Sequence, residues 1–270
     1  MAVINYPEHF PVVSGMPWHG VKYLCTTRAG GVSAEPFGAL NLATHVADDP
    51  VAVQRNRAML SGALGGNPVW LEQVHGTDVF DADTLPASRF ATQGAAAVAD
   101  AAITTRPDVV LAVLTADCLP VVVADTLGRA VGVAHAGWRG LAGGVLENTV
   151  NALRQRLPAN AVLRAWIGPA ISQPAFEVGP DVYQAFCENW PDDQMYFAAR
   201  PAVTSSGHEK WLADLPGLAR QRLWRAGLRY IECSGWCTLR QPELFFSYRA
   251  SARTGRMATL AWIDQAPELP

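Results

Sequence analysis

From Val109 to Ala134 the chain is apolar at nearly every position, and this run limits the possible folds more than any other stretch. Three segments within it, Val109–Thr115, Leu119–Ala124 and Ala130–Ala134, carry many β-branched residues and no polar alternation. A strand with one face in water alternates apolar and polar residues, whereas an uninterrupted apolar strand is covered on both faces. The run therefore predicts a core sheet with layers on either side.

Two breaks divide the run. One is Asp117-Cys118; the other is Asp125-Thr126-Leu127-Gly128, which has the composition of a hairpin turn. A turn centred between Thr126 and Leu127 sets Cys118 opposite His135, with Cβ atoms roughly 4.5–5.5 Å apart. A bulge at Gly128 would slip the register by one residue and send the two side chains to opposite faces.

The remaining elements follow from periodicity and punctuation. Asp48-Asp49-Pro50 reads as a capped helix start, with the helix reaching Leu64 and Val53, Arg57 and Leu60 on one face. Gly140–Leu157 reads as a second helix, entered from the glycine-rich loop His135–Arg139, whose free N–H groups suit an anion. Gly179–Trp190 and Leu212–Ala226 are two more. Val21–Thr26, Pro68–Val74, Val162–Ile167, Leu228–Ile231, Leu244–Arg249 and Met257–Ile263 read as strands, and Asp78–Ala102 as irregular. No repeat or linker divides residues 1–270, so one domain is expected.

Hydrophobic residues make up 50% of the chain and charged residues 17%, which excludes a disordered chain. The net charge is −3 without a basic run, so neither nucleic acid nor a membrane surface is an expected partner. Five cysteines lack a C-x-x-C pair and Met1–Pro11 lacks a signal peptide, which predicts a reducing cytoplasm.

Candidate chemistry centres on His75, Cys118 and His135. Two imidazoles and a thiolate can hold zinc with a fourth position open to a reactant. Without metal, Cys118 and His135 could act as nucleophile and base of a hydrolase or deamidase. The plainest alternative is a buried cysteine and two structural histidines in a binding module. Six histidines, none in an H-x-H pair, are too few imidazoles for a three- or four-copper centre. Arg28 ends a strand, and Arg57 on a partly apolar helix face needs an anionic or polar partner.

LEQVHGTDV (Leu71–Val79), TADCLPVVVAD (Thr115–Asp125) and AHAGWRGLAGGV (Ala134–Val145) resemble the YfiH family. It is also called the laccase-domain or multicopper polyphenol oxidase family, the peptidoglycan editing factor family, and the purine nucleoside phosphorylase YfiH/laccase-domain family. TTRAGGVS (Thr26–Ser33), LNLATHVADDP (Leu40–Pro50), Asn56-Arg57, IGPAIS (Ile167–Ser172), FEVG (Phe176–Gly179), Cys237-Thr238 and FFSYR (Phe245–Arg249) extend the likeness.

The resemblance implies a single layered α/β domain with a mixed sheet covered by helices on both sides, distantly like the cysteine-hydrolase domain of bacterial toxins. It implies zinc on His75, Cys118 and His135, which would also be the catalytic residues. It further implies phosphorolysis of adenosine, inosine or guanosine, with adenosine deaminase and methylthioadenosine phosphorylase activity besides. Arg28, Arg57, Arg139 and Arg249 are then expected to bind phosphate or substrate and Asn41 to position substrate, with Asp117 orienting a histidine ligand. The alternative is hydrolytic editing of peptidoglycan precursors at the same residues. Either way the partners are small molecules, with no protein partner evident.

Overall fold

The computed structural model describes residues 3–6, 10–86, 96–200 and 209–264. His9, His208 and part of the Asp78–Ala102 reading fall outside them. The chain opens with strands β1 (Val3–Tyr6), β2 (Phe10–Val13) and β3 (Val21–Thr26), then helix α1 (Pro50–Leu64). Short strands β4 (Leu71–Glu72), β5 (Val79–Asp81) and β6 (Ala97–Val98) precede β7 (Ala101–Thr104), β8 (Leu111–Thr115), β9 (Leu119–Asp125) and β10 (Val131–Ala136). Helices α2 (Trp138–Gly143) and α3 (Val145–Gln155) lead to β11 (Leu163–Ile167), β12 (Glu177–Val178) and α4 (Pro180–Cys187). The rest comprises β13 (Phe197–Arg200), β14 (Lys210–Ala213), α5 (Leu215–Arg225), β15 (Tyr230–Cys233) and β16 (Met257–Ile263).

Two large sheets form the core. One is antiparallel, in the order β1-β2-β3-β16-β8. The other is mixed, in the order β15-β11-β9-β10-β7-β5, with parallel pairs at both edges. Strand alternation divides the packing. Val121 and Val123 of β9 cluster with Leu146, Val150, Phe186 and Leu218 of α3, α4 and α5. Val122 and Ala124 point the other way and cluster with Leu111, Val113, Met257 and Ala261 of the antiparallel sheet. The outer face of that sheet, with Leu24, Ala112, Leu114 and Leu260, packs on Leu60 of α1 and on Leu40 and Leu42. The layers thus run helix, sheet, sheet, helices. The all-buried pattern of β8, β9 and β10 is what two covered faces require.

The hairpin register differs from the expected one. His135 pairs with Pro120 and Ala136 with Leu119, because the β9–β10 connection, residues 126–130, is longer than a two-residue turn, with Gly128 at φ +74°. The shift is two residues rather than one, so the facing of every side chain is preserved. The expected helix Gly140–Leu157 is broken at Gly144, where φ is +101°. Leu244–Arg249 is not a strand but a pair of turns, and only Leu71–Glu72 of Pro68–Val74 is one. Asp78–Ala102, expected to be irregular, holds β5, β6 and the start of β7; β1, β2, β13 and β14, four residues each, and the two-residue β12 were likewise unanticipated. Among the described residues no helix is long and apolar enough to cross a membrane.

The loop between β3 and α1 is clamped by buried Asn56 of α1. Its Oδ1 accepts from Val32 N at 2.8 Å, and its Nδ2 lies 2.9–3.1 Å from Asn41 O, Ser33 Oγ and Ala39 O. Gly31 is needed there, since a Cβ would stand 2.3 Å from Ala39 O. Asn56→Ala leaves several of these groups unpaired and is expected to cost at least about 2 kcal/mol. A denaturant midpoint unchanged from the parent protein would contradict that clamp.

Candidate functional site

Strand β8 belongs to one large sheet and β9 to the other. Ala116–Cys118 carry the chain across the gap between them. Asp117 adopts φ +85°, a region that side chains other than glycine rarely enter. Three hydrogen bonds hold it there. Its carboxylate accepts from Thr238 Oγ1 and from Arg249 N, each at 2.6 Å, and its carbonyl accepts from Ile171 N at 3.0 Å. Cys118, half-buried, projects from this turn.

His75 follows β4, also at positive φ (+60°), and is kept in place by buried Asp100. Oδ1 of Asp100 accepts from His75 N at 3.0 Å, and Oδ2 accepts from Val74 N at 3.1 Å and Gly76 N at 2.6 Å. The same Oδ1 lies 2.7 Å from Nδ1 of His135 at the end of β10. One carboxylate thus fixes the backbone of one histidine and the ring of the other. This overturns the expectation for Asp117, whose oxygens are taken up by Thr238 and Arg249.

The ligating atoms of His75, Cys118 and His135 lie within 4.8 Å of one another, and the two rings meet edge to face at 4.7 Å. Bonds of roughly 2.0–2.3 Å to a single ion would bridge such a group. The donor set, two imidazoles and a thiolate, fits zinc. Gly137 closes the site from behind. A Cβ there would stand 2.5 Å from His75 Nδ1 and 3.2 Å from Cys118 Sγ. Burial disfavours a charged His135, but hydrogen bonds with Asp100 and Cys118 outweigh it and push its pKa up to about 9. His75 is held below the usual imidazole range by burial and then by the charge of His135. A metal ion held there would compete with protons for the ring nitrogens and the thiol.

The three side chains line a cavity of about 880 Å³, within the usual range for small-molecule sites. Arg57, Arg139, Arg249 and Arg256 line it too. Each lies over an aromatic ring. Arg57 is 4.3 Å from the centroid of Trp70, Arg139 4.3 Å from Trp138, Arg249 5.4 Å from Phe176 and Arg256 5.7 Å from Tyr248. Among the described residues none of the four has a carboxylate partner within ion-pair distance. The ring faces support the guanidinium groups without neutralising them.

Of the residues expected at the site, His75, Cys118, His135, Arg57, Arg139 and Arg249 meet on this cavity. Arg28 and Asn41 do not. Arg28 donates to Gly38 O and Pro242 O and pairs with Glu35, holding two loops together. Asn41 is fully buried, with its amide on Ala43 O and Asp48 and its oxygen accepting from Ala43 N and Arg256 N. Sequence reasoning missed Asp100, Arg256 and His45, the last also on the cavity wall. Asp100 had a signal, a lone acid in the apolar run Ala97–Ile103. Arg256 stands at a strand end, as Arg28 does.

A family model described as multi-copper polyphenol oxidoreductase laccase matches residues 22–264. Curated relatives include a purine nucleoside phosphorylase of Xylella fastidiosa, 48% identical over 96% of this chain and 98% of the relative. Another is purine nucleoside phosphorylase YfiH of Escherichia coli, 44% identical over 90% and 94%. Among solved structures, Neisseria meningitidis protein NMB0706 is 44% identical with a TM-score of 0.84, covering 95% of this chain and 99% of that one. YlmD of Geobacillus stearothermophilus is 30% identical with a TM-score of 0.80, covering 97% and 99%.

Asp100→Asn removes the carboxylate that sets both histidines. Partners of this kind are worth roughly 10–100-fold in metal affinity. A loss of that size is expected in competition with a chelator, and parent-like affinity would discard the role given to Asp100.

Proposed function

The chain belongs to the multi-copper polyphenol oxidoreductase laccase family, and from that premise we propose that it is a zinc-dependent purine nucleoside phosphorylase acting on adenosine, inosine and guanosine. The observation that carries this reading is the cavity in which four arginines without carboxylate partners and their aromatic partners surround the histidine–cysteine–histidine group. Such a wall suits an oxyanion beside a flat ring system.

In the reaction, an oxygen of phosphate bonds to C1′ of the ribose and the bond from C1′ to the purine nitrogen breaks. The bonding pair leaves with the purine, which takes up the proton lost by phosphate. Arg57, Arg139 and Arg249 bind phosphate or nucleoside and hold the reactants in register. Phe176 and Trp138 offer apolar surface to the base and exclude water. Arg28 and Asn41 act at one remove, by fixing the loops around the cavity. A zinc ion held by His75, Cys118 and His135 would supply a positive centre that polarises a reactant oxygen. Methylthioadenosine phosphorolysis needs the same bond changes. Adenosine deamination would add a water oxygen at C6 and release ammonia. Zinc is favoured over a multi-copper centre because among the described residues only two histidines join the group. Five free cysteines support a reducing cytoplasm as the site of action.

Purified protein given a nucleoside and phosphate is expected to release free base and ribose 1-phosphate, followed by chromatography. Inertness towards every nucleoside, together with cleavage of a muramoyl-amino acid, would replace this reading by peptidoglycan-precursor editing. Cys118→Ala is expected to lose both metal and activity. Full zinc occupancy by elemental analysis in that variant would remove Cys118 from the ligand set. Arg249→Ala is expected to lower kcat/KM about tenfold or more with zinc retained. An unchanged kcat/KM would take Arg249 out of the site.

A further inference from the structure

The arginines of the cavity are anchored in two groups. Arg249 donates to Glu177 O, and Arg139 lies on Trp138 at the start of α2. Arg57 and Arg256 share a different support, the short loop 41–45. Arg57 Nε donates to Leu42 O at 2.8 Å. Arg256 N donates to buried Asn41 Oδ1 at 3.0 Å, and Leu42 N donates to Arg256 O at 3.4 Å. His45, where that loop ends, lines the same cavity. One loop thus brings together three basic side chains that come from α1, from the loop itself and from the entrance to β16.

These groups form no ion pair with a carboxylate among the described residues. Arg57 is only 9% exposed, and its hydrogen bond to Leu42 O is made by Nε, with no acceptor for its terminal nitrogens among the described residues. Arg256 uses Nη1 on Thr254 O and Gly255 O. His45, Arg57 and Arg256 share one cavity wall, and burial and then the charges of Arg256 and Arg57 hold the pKa of His45 below the usual imidazole range. Buried cations without a counter-ion are costly unless a ligand supplies the opposite charge.

We infer that Arg57, Arg256 and His45 form the seat of a tetrahedral phosphate oxyanion, taken up as inorganic phosphate, while Arg139 and Arg249 serve the nucleoside. Arg256 lines the same cavity as Asp117 and Cys118, which places the seat beside the candidate metal group. The assignment rests on the phosphorylase reading for its co-substrate, but the anion seat itself does not.

The test uses zinc-loaded protein and two readouts. Calorimetric titration with inorganic phosphate, without nucleoside, is expected to saturate in the parent protein and to weaken about tenfold or more in Arg256→Gln and in His45→Ala. Arg256→Lys, which keeps the charge, is expected to recover part of the binding. In turnover, the KM for phosphate is expected to rise in the same variants far more than the KM for nucleoside, with zinc content and thermal midpoint retained. Phosphate binding unaltered in both variants would overturn the assignment. So would binding of adenosine 5′-monophosphate through Arg256 without binding of inorganic phosphate, which would make the seat a nucleotide site. Saturable, Arg256-dependent phosphate binding in a protein that cleaves no nucleoside would uphold the seat and reject the phosphorylase reading.

Discussion

The passage of the chain from one sheet to the other at Ala116–Cys118 is the constraint from which the site follows. A strand that ends in one layer and restarts in the next must turn inside the protein, where its peptide groups have little water to meet. Asp117 solves that problem with its own polar atoms, drawing Thr238, Arg249 and Ile171 onto the turn. The same bonds aim Cys118 into the space between layers, where the ends of β4 and β10 also arrive. Metal-ligating geometry here is a by-product of satisfying a buried backbone.

The second theme is charge held without neutralisation. Guanidinium groups inside a cavity are expensive to desolvate, and most proteins offset that cost with carboxylates. Here ring faces and backbone carbonyls support them instead. Among the described residues the carboxylates on the same wall are those of Glu72 and Asp117, and Asp117 is already engaged. The positive potential is therefore left for whatever enters.

Much of this was legible in the sequence where the cause was local. The cap at Asp49 and the extent of α1 follow from an acid and a proline side by side, and the covered faces of β8, β9 and β10 follow from their missing alternation. The convergence of His75, Cys118 and His135 was legible through those residues, although the hairpin argument that paired Cys118 with His135 used the wrong loop. It reached the right facing only because a shift of two residues preserves parity. What was not legible had distant causes. Asp100 meets His75 and His135 only after three segments fold together, and Arg256 is placed by Asn41, far away in the chain. Phe245 and Phe246 have strand-like composition, but the pull of Asp117 on Arg249 N holds that segment in turns.

The ligands are graded in exposure, with His135 buried, Cys118 half-buried and His75 open. Gly137 presses its bare backbone against the rear of the group. A metal ion held there would have the backbone of Gly137 on one side and the cavity on another. The side from which a reactant could approach such an ion would then be chosen by the polypeptide rather than by the metal.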